Sequence, residues 1–259
     1  MRLVVAVLVP LLLLAGCGSG SVAPEATPAD RAAGQLECTG QPTKHGHGDY
    51  GDGLEEVQDD PAGAVDQWLE AEGWFAALPS DGYVVEWQRD HRALVSFDTD
   101  GRTTIAFVVA DGIHDYRDET GWGLETWAQC DPSEWPAATT DALGLGIWTD
   151  PHGKRLATDT VVSYTGPEHC DWQDITFLHV GGRKGDEYLR DVGGELQRSL
   201  TTTYDGAATL PEDATDTGWQ HDGRELWLGE APRAAYLVSV DDPTDVERWP
   251  ASKDDIGCA

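Results

Sequence analysis

Hydrophobic and polar positions divide this 259-residue chain into an apolar leader, a small-residue spacer and a long patterned body. Residues 3–14 are apolar apart from Pro10, whereas residues 18–33 are mostly small, with Val22 the single large apolar side chain. In the body, Ala64, Val65, Trp68 and Leu69 lie at helical spacing over 61–74, with Pro61 suited to a first helical turn and Gly73 to an end. Runs rich in Val, Phe, Ile and Thr predict strands over 83–88, 93–97 and 103–110. Between the last two, 98–101 reads Asp-Thr-Asp-Gly, a hairpin turn in which glycine supplies a positive φ. A fourth strand over 123–129 delivers Cys130 at its end. Later, 193–200 predicts a shorter, weaker helix, and 161–164, 175–180, 225–228 and 234–240 predict strands.

An offset of 132 residues lays the chain on itself. Leu78-Pro79 falls on Leu210-Pro211, and Trp87-Gln88 with Asp90, Arg92 and Leu94 falls on Trp219-Gln220 with Asp222, Arg224 and Leu226. Over 76–94 nine of nineteen positions are identical without a gap, and the same offset places Cys38 on Cys170 and His47 on His179. A period this long indicates duplicated domains, since solenoid units are about 20–50 residues. The expected fold class is therefore α+β: two tandem related domains, each a helix packed on an antiparallel β-sheet. They span 34–136 and 146–259, with a linker over 137–145.

Cys38, Cys130, Cys170 and Cys258 form an even set, which in an exported chain reads as two disulfides with three pairings. The repeat favours one per copy, Cys38 with Cys130 and Cys170 with Cys258. The competing arrangement joins Cys130 to Cys170 and Cys38 to Cys258. No Cys-x-x-Cys pair is present, so a zinc knuckle or dithiol redox site has no support.

The fifth cysteine has a different setting. The apolar run is 12 residues long, the size of a signal-peptide core, and a membrane-spanning helix needs about 20. Leu14-Ala15-Gly16-Cys17 resembles the bacterial lipobox at all four positions. The resemblance implies a signal peptide over 1–16, thioether lipidation of Cys17, and a protein held by acyl chains on the extracytoplasmic face of a cell membrane. Residues 17–33 then form the lipidated cysteine and a flexible tether.

Charge narrows the partners. The chain carries 47 acidic and 17 basic residues, a net −30, and loses Arg2 with the leader. Such a surface repels phosphate backbones, so nucleic acid is not an expected partner. An envelope protein or glycan is compatible with it, and the anchor itself makes the membrane a partner.

Candidate chemistry is sparse. His45 and His47, followed by Asp49 and Asp52 in a Gly-rich run, offer imidazole and carboxylate ligands for a divalent metal, though the spacing lacks the rhythm of a calcium loop. A solvated glycine-rich loop is the favoured reading of 45–53, so no metal or other cofactor is assigned. The repeated Trp-Gln-x-Asp-x-Arg-x-Leu motif predicts a tight hairpin with Trp and Leu in the core and an Arg–Asp pair at the turn. No serine-hydrolase elbow, His-Glu-x-x-His helix, phosphate-binding loop or Ser-x-x-Lys occurs, so no catalytic residue is assigned.

The stretches 121–132 and 167–173, reading Gly-Trp-Gly-Leu-Glu-Thr-Trp-Ala-Gln-Cys-Asp-Pro and Pro-Glu-His-Cys-Asp-Trp-Gln, resemble uncharacterised lipoproteins of high-GC Gram-positive bacteria. That resemblance implies no functional residue. Duplicated helix-on-sheet domains with disulfides also resemble secreted β-lactamase-inhibitor proteins at the level of fold alone. The expected function is a non-enzymatic binding or interaction module for an envelope protein or wall component. The alternatives are a metal-binding envelope protein using His45 to Asp52, or an envelope hydrolase with no recognisable motif.

Overall fold

The computed structural model describes residues 28–46, 56–76, 78–182, 185–254 and 256–257. Its first half is built from α1 (Pro28–Ala33), β1 (Thr43–Gly46), α2 (Pro61–Ala76), β2 (Val84–Arg89), β3 (Arg92–Thr99), β4 (Arg102–His114) and β5 (Thr120–Gln129). Asp60 starts α2: its carboxylate accepts the backbone N–H of Ala62 and Gly63 at 3.0 and 2.9 Å, while Pro61 needs no donor partner there. The strands form one antiparallel sheet in the order β1-β5-β4-β3-β2. Strand alternation sends Ala93, Val95, Ile105, Phe107 and Val109 to one face, where Ala64, Val65 and Trp68 of α2 cover them. Leu94, Ala106, Val108 and Ala128 face the other way and pack on Ala32 of α1. Residues 28–33, expected to lie in the tether, are thus helical, with Ala32 fully buried. Cys38 is bonded to Cys130, Cα–Cα 5.2 Å, which ties the segment before β1 to the end of β5.

The second half contains α3 (Ala137–Ala142), β6 (Leu145–Ile147), β7 (Val161–Thr165), β8 (Thr176–Val180), β9 (Asp186–Arg190), β10 (Thr215–His221), β11 (Arg224–Glu230), β12 (Arg233–Ser239) and β13 (Val246–Pro250). They make two four-stranded antiparallel sheets, β6-β7-β8-β9 and β10-β11-β12-β13. The sheets meet at both edges. Thr149, just past β6, exchanges backbone hydrogen bonds with Gln220 of β10 at 2.8 and 2.9 Å, and Tyr188 of β9 pairs with Ala251 beyond β13. Backbone pairing can therefore be followed around all eight strands, a barrel-like ring joined at each seam by an isolated bridge. Trp148, Val161, Leu178, Tyr188, Leu226, Leu237 and Trp249 fill its interior.

This architecture corrects the expected α+β class. Among the described residues there are thirteen strands in three antiparallel sheets and three helices, and only α2 is a long helix lying on a sheet. The helix expected over 193–200 is a single 3₁₀ turn, Gln197–Ser199. Gly194 sits at φ 75°, and the buried Asp191 carboxylate takes the N–H groups of Gly194, Glu195 and Leu196 into a turn before a helix can propagate. Loops instead cover the outer faces of the second half: Trp172, Leu196 and Leu200 against β8 and β9, Ala208 and Leu210 against β12 and β13. The fold-level likeness to β-lactamase-inhibitor proteins falls with the helix-on-sheet reading. The expected linker is itself structured, with α3 running into β6.

The two hairpins related by the 132-residue offset share their pairing. Trp87 faces Leu94, Gln88 faces Ala93 and Arg89 faces Arg92; Trp219 faces Leu226, Gln220 faces Glu225 and His221 faces Arg224. A bulge precedes the tryptophan in each, and the turn begins with aspartate at positive φ, 53° at Asp90 and 47° at Asp222. The expected Arg–Asp clamp at the turn is not what forms. Arg92 reaches Glu125 through two bonds at 2.7 and 3.1 Å, and Arg224 reaches Asp245 at 3.1 Å and Glu247 at 3.4 Å.

Candidate functional site

At one end of the ring the strands separate. β6 and β10 are joined only through Thr149 and Gln220, so on one side of that bridge their backbones splay and leave an open groove of about 410 Å³. Asp141 of α3, Gly144 to Gly146 at β6, Ser163 to Thr165 of β7, Thr176 of β8, and His221 with Asp222 at the β10–β11 turn line it. The mouth of a small β-barrel is a recurrent place for a ligand, and this volume lies within the range of small-molecule sites.

Strand alternation explains which side chains enter. Val161 points into the ring core, so Ser163, two residues on, points the same way, whereas Tyr164 points outward to stack on Phe177. Tyr164 is not available for a ligand through its hydroxyl, which donates to Glu187 at 3.0 Å; burial, with Glu187 second, pushes its phenol pKa up. On β10, Trp219 faces the core and His221 follows it inward at the same spacing, its ring 5.4 Å from that of Trp148.

Gly146 makes this arrangement possible. A Cβ there would lie 2.1 Å from Ser163 Oγ and 2.7 Å from His221 Nε2, closer than atoms tolerate. The serine and the imidazole therefore share the space above one glycine. Of the nine buried polar residues among those described, eight have a side-chain hydrogen-bond partner. Ser163 is the exception: it is 5% exposed, lines the groove, and its Oγ has no partner among the described residues. That oxygen is not among the fully buried unpaired side-chain atoms, so it reaches the open groove, where a ligand or water can take its hydrogen bond.

Serine, histidine and aspartate side by side invite comparison with a hydrolase triad, and the geometry argues against one. Asp222 Oδ2 lies 3.4 Å from His221 Nε2, the nitrogen that stands with Ser163 Oγ above Gly146. A triad needs the carboxylate on the opposite nitrogen, where it fixes the tautomer while Nε2 takes the serine proton. No carboxylate among the described residues lies within ion-pair distance of His221 Nδ1, and Asp222 is 90% exposed.

The rest of the ring's inner rim is polar but occupied. Arg190 stands opposite Thr176 in the β8–β9 pairing and Arg224 opposite His221 in the β10–β11 pairing. Both guanidiniums converge on Glu247, at 3.3 and 3.4 Å, and Trp249 Nε1 donates to the same carboxylate at 2.9 Å.

The residues singled out by the sequence are placed elsewhere. Cys17, His47, Asp49, Asp52 and Cys258 lie outside the described residues. Cys170 is also disulfide-bonded, and the Cys38–Cys130 bond excludes the arrangement that joins Cys130 to Cys170. His45 is not in a solvated loop: it belongs to β1, faces Trp127 across the pairing, and stacks on it at 3.7 Å between ring centres. Among the described residues the one grouping with metal-ligand spacing is Cys38, Cys130 and Glu134. Its sulfurs form the disulfide, and its carboxylate accepts from Thr39 N and Gly40 N, so it is a structural knot. The groove carries no local sequence signal, because its hairpin serves equally as a fold element. The available signal was a difference between copies, since His221 stands where the first copy has Arg89.

No family model, curated protein or solved structure matches this chain.

Proposed function

We propose that this chain is a lipid-anchored extracytoplasmic protein that binds a ligand, without turning it over, in the groove at the mouth of its second-half ring. The observation that carries the binding site is Ser163: a largely buried residue whose hydroxyl opens onto the groove and bonds to none of the described residues. The arrangement at His221 supports binding over hydrolysis, because the carboxylate within ion-pair distance of the ring lies at Nε2 and not at Nδ1. The lipobox-like Leu14-Ala15-Gly16-Cys17 supports the anchor, and a disulfide between Cys38 and Cys130 suits an oxidising compartment.

The test is a thermal-shift screen of the full chain against soluble sugars, amines and wall fragments, run beside Ser163→Ala. A ligand that raises the wild-type melting temperature and loses that effect in the variant supports the reading. Ligands that stabilise both proteins equally refute the site. Turnover of any such ligand would refute the non-enzymatic part. Labelled palmitate entering the wild type but not Cys17→Ala supports the anchor, and equal labelling of both rejects it.

A further inference from the structure

Besides Tyr164, whose hydroxyl is turned to Glu187, the groove's lining contains two carboxylates, Asp141 and Asp222, three hydroxyls, Ser163, Thr165 and Thr176, and one imidazole, and it contains no Lys or Arg. Of the cations around it, Arg190 and Arg224 are held on Glu247 and Asp245, and Arg155, which feels the charge of Asp141, donates to Trp135 O and Thr140 Oγ1. Carboxylates only accept hydrogen bonds, hydroxyls do both, and imidazole gives or accepts one at Nε2. Asp141 comes from α3 at one side of the groove and Asp222 from the β10–β11 turn. The hydroxyls of Ser163, Thr165 and Thr176 lie on β7 and β8. An anionic ligand would meet two like charges with no counter-ion in the lining. A neutral polyol can donate to the carboxylates and exchange bonds with the hydroxyls, but it leaves both negative charges of the lining uncompensated. A ligand with hydroxyls and a positive charge uses both.

We infer that the groove recognises a small hydroxylated amine, with the chemistry of an amino sugar whose ammonium is free: the ammonium towards Asp141 and Asp222, the hydroxyls towards Ser163, Thr165 and Thr176. The inference rests on the binding site proposed above and adds the ligand class. Such a group occurs both as a free monosaccharide and as an unacetylated residue of a glycan chain, and the two share this chemistry.

The experiment is calorimetric titration of the full chain at about pH 7 with glucosamine, N-acetylglucosamine and glucose, followed by a β-1,4-linked glucosamine trimer. Glucosamine is expected to bind about tenfold more tightly than either neutral sugar, through charge-assisted bonds to two exposed carboxylates. Asp141→Asn with Asp222→Asn is expected to remove that advantage while leaving the melting temperature near wild type, because both residues are exposed. Raised salt should narrow the gap in the wild type, an independent check that needs no variant. Ser163→Ala should weaken all three sugars. Tighter binding of the trimer places the source on a glycan chain, and tighter binding of the monomer on a free sugar. Equal affinities for the three sugars, still sensitive to Ser163→Ala, overturn the amine inference and leave the site standing. Absence of any Ser163-sensitive binding at millimolar probe overturns both.

Discussion

Replacing Ser163 by alanine should leave the protein as stable as before or slightly more stable, although the residue is 5% exposed. The usual cost of removing a buried hydroxyl has two parts, the lost hydrogen bond and the stranded partner. Neither applies, since no partner among the described residues bonds to Ser163 Oγ, and the change removes a single atom. Full desolvation of an unpaired hydroxyl would cost about 1–3 kcal/mol, but Ser163 Oγ is not among the fully buried unpaired atoms and keeps contact with the groove. The groove gives that oxygen partial access to solvent, so only a fraction is recovered, about 0–1 kcal/mol. For a chain of this size 1 kcal/mol moves the melting temperature by about 2–4 °C. Thr140→Ala is the internal comparison. It is 1% exposed, donates to Ala137 O at 3.0 Å and accepts from Arg155 Nη2 at 3.1 Å, so it should lose about 1–3 kcal/mol. Differential scanning calorimetry of both variants reads the contrast directly. A fall of more than about 2 °C in Ser163→Ala, the equivalent of about 1 kcal/mol, would show that the hydroxyl has a structural partner and would remove the basis for the binding site. Stability retained while ligand response disappears is the pattern expected of a position kept for function at some cost to the fold.

Three further outcomes test the frame around the groove. Asp191→Ala removes an acceptor for three backbone N–H groups at 2.8, 3.0 and 2.8 Å and should destabilise by about 2–4 kcal/mol in urea unfolding. An unchanged midpoint would mean that the turn holds itself. Reduction of Cys38–Cys130, or its double serine variant, opens a loop of 92 residues and should lower stability by about 4–5 kcal/mol on the chain-entropy scale. Identical denaturation curves with and without reductant would contradict that. Glu134 gives the pH dependence. Burial alone would raise its pKa, but the N–H groups of Thr39 and Gly40 and the guanidinium of Arg102 outweigh it and hold the carboxyl below its usual value. A depressed folded-state pKa contributes stability that is present above the unfolded value, about 4.3, and is lost as pH falls through the folded one. Glu134→Gln should therefore flatten the loss of stability on acidification below about pH 4.3, measured as melting temperature against pH; a slope equal to wild type would assign the acid sensitivity elsewhere.

Local features of the sequence carried far in the first half. Helix α2 follows from Asp60, Pro61 and the spacing of Ala64, Val65 and Trp68, all within a few residues of one another. The paired hairpins were legible because Trp and Leu flank an Asp-led two-residue turn, so register follows from the turn. Pairing Cys38 with Cys130 was legible through the repeat and not through spacing alone.

The second half and its groove were not legible for a physical reason. Hydrophobic periodicity reports which face of an element is buried and says nothing of what covers it. In the first half helices do so, and in the second half loops and a second sheet do. β6 has three residues, too few for a period, and it becomes a strand because β7 lies beside it. Gly146, Ser163 and His221 are distant in sequence, and each is unremarkable where it stands. Sequence by itself determined the helix, the hairpin registers and the cysteine pair of the first half, since those rest on neighbours or on an internal copy. Tertiary structure alone decided that two sheets close into a ring and that the ring parts beside one glycine, because edge closure depends on long-range pairing that no local pattern encodes.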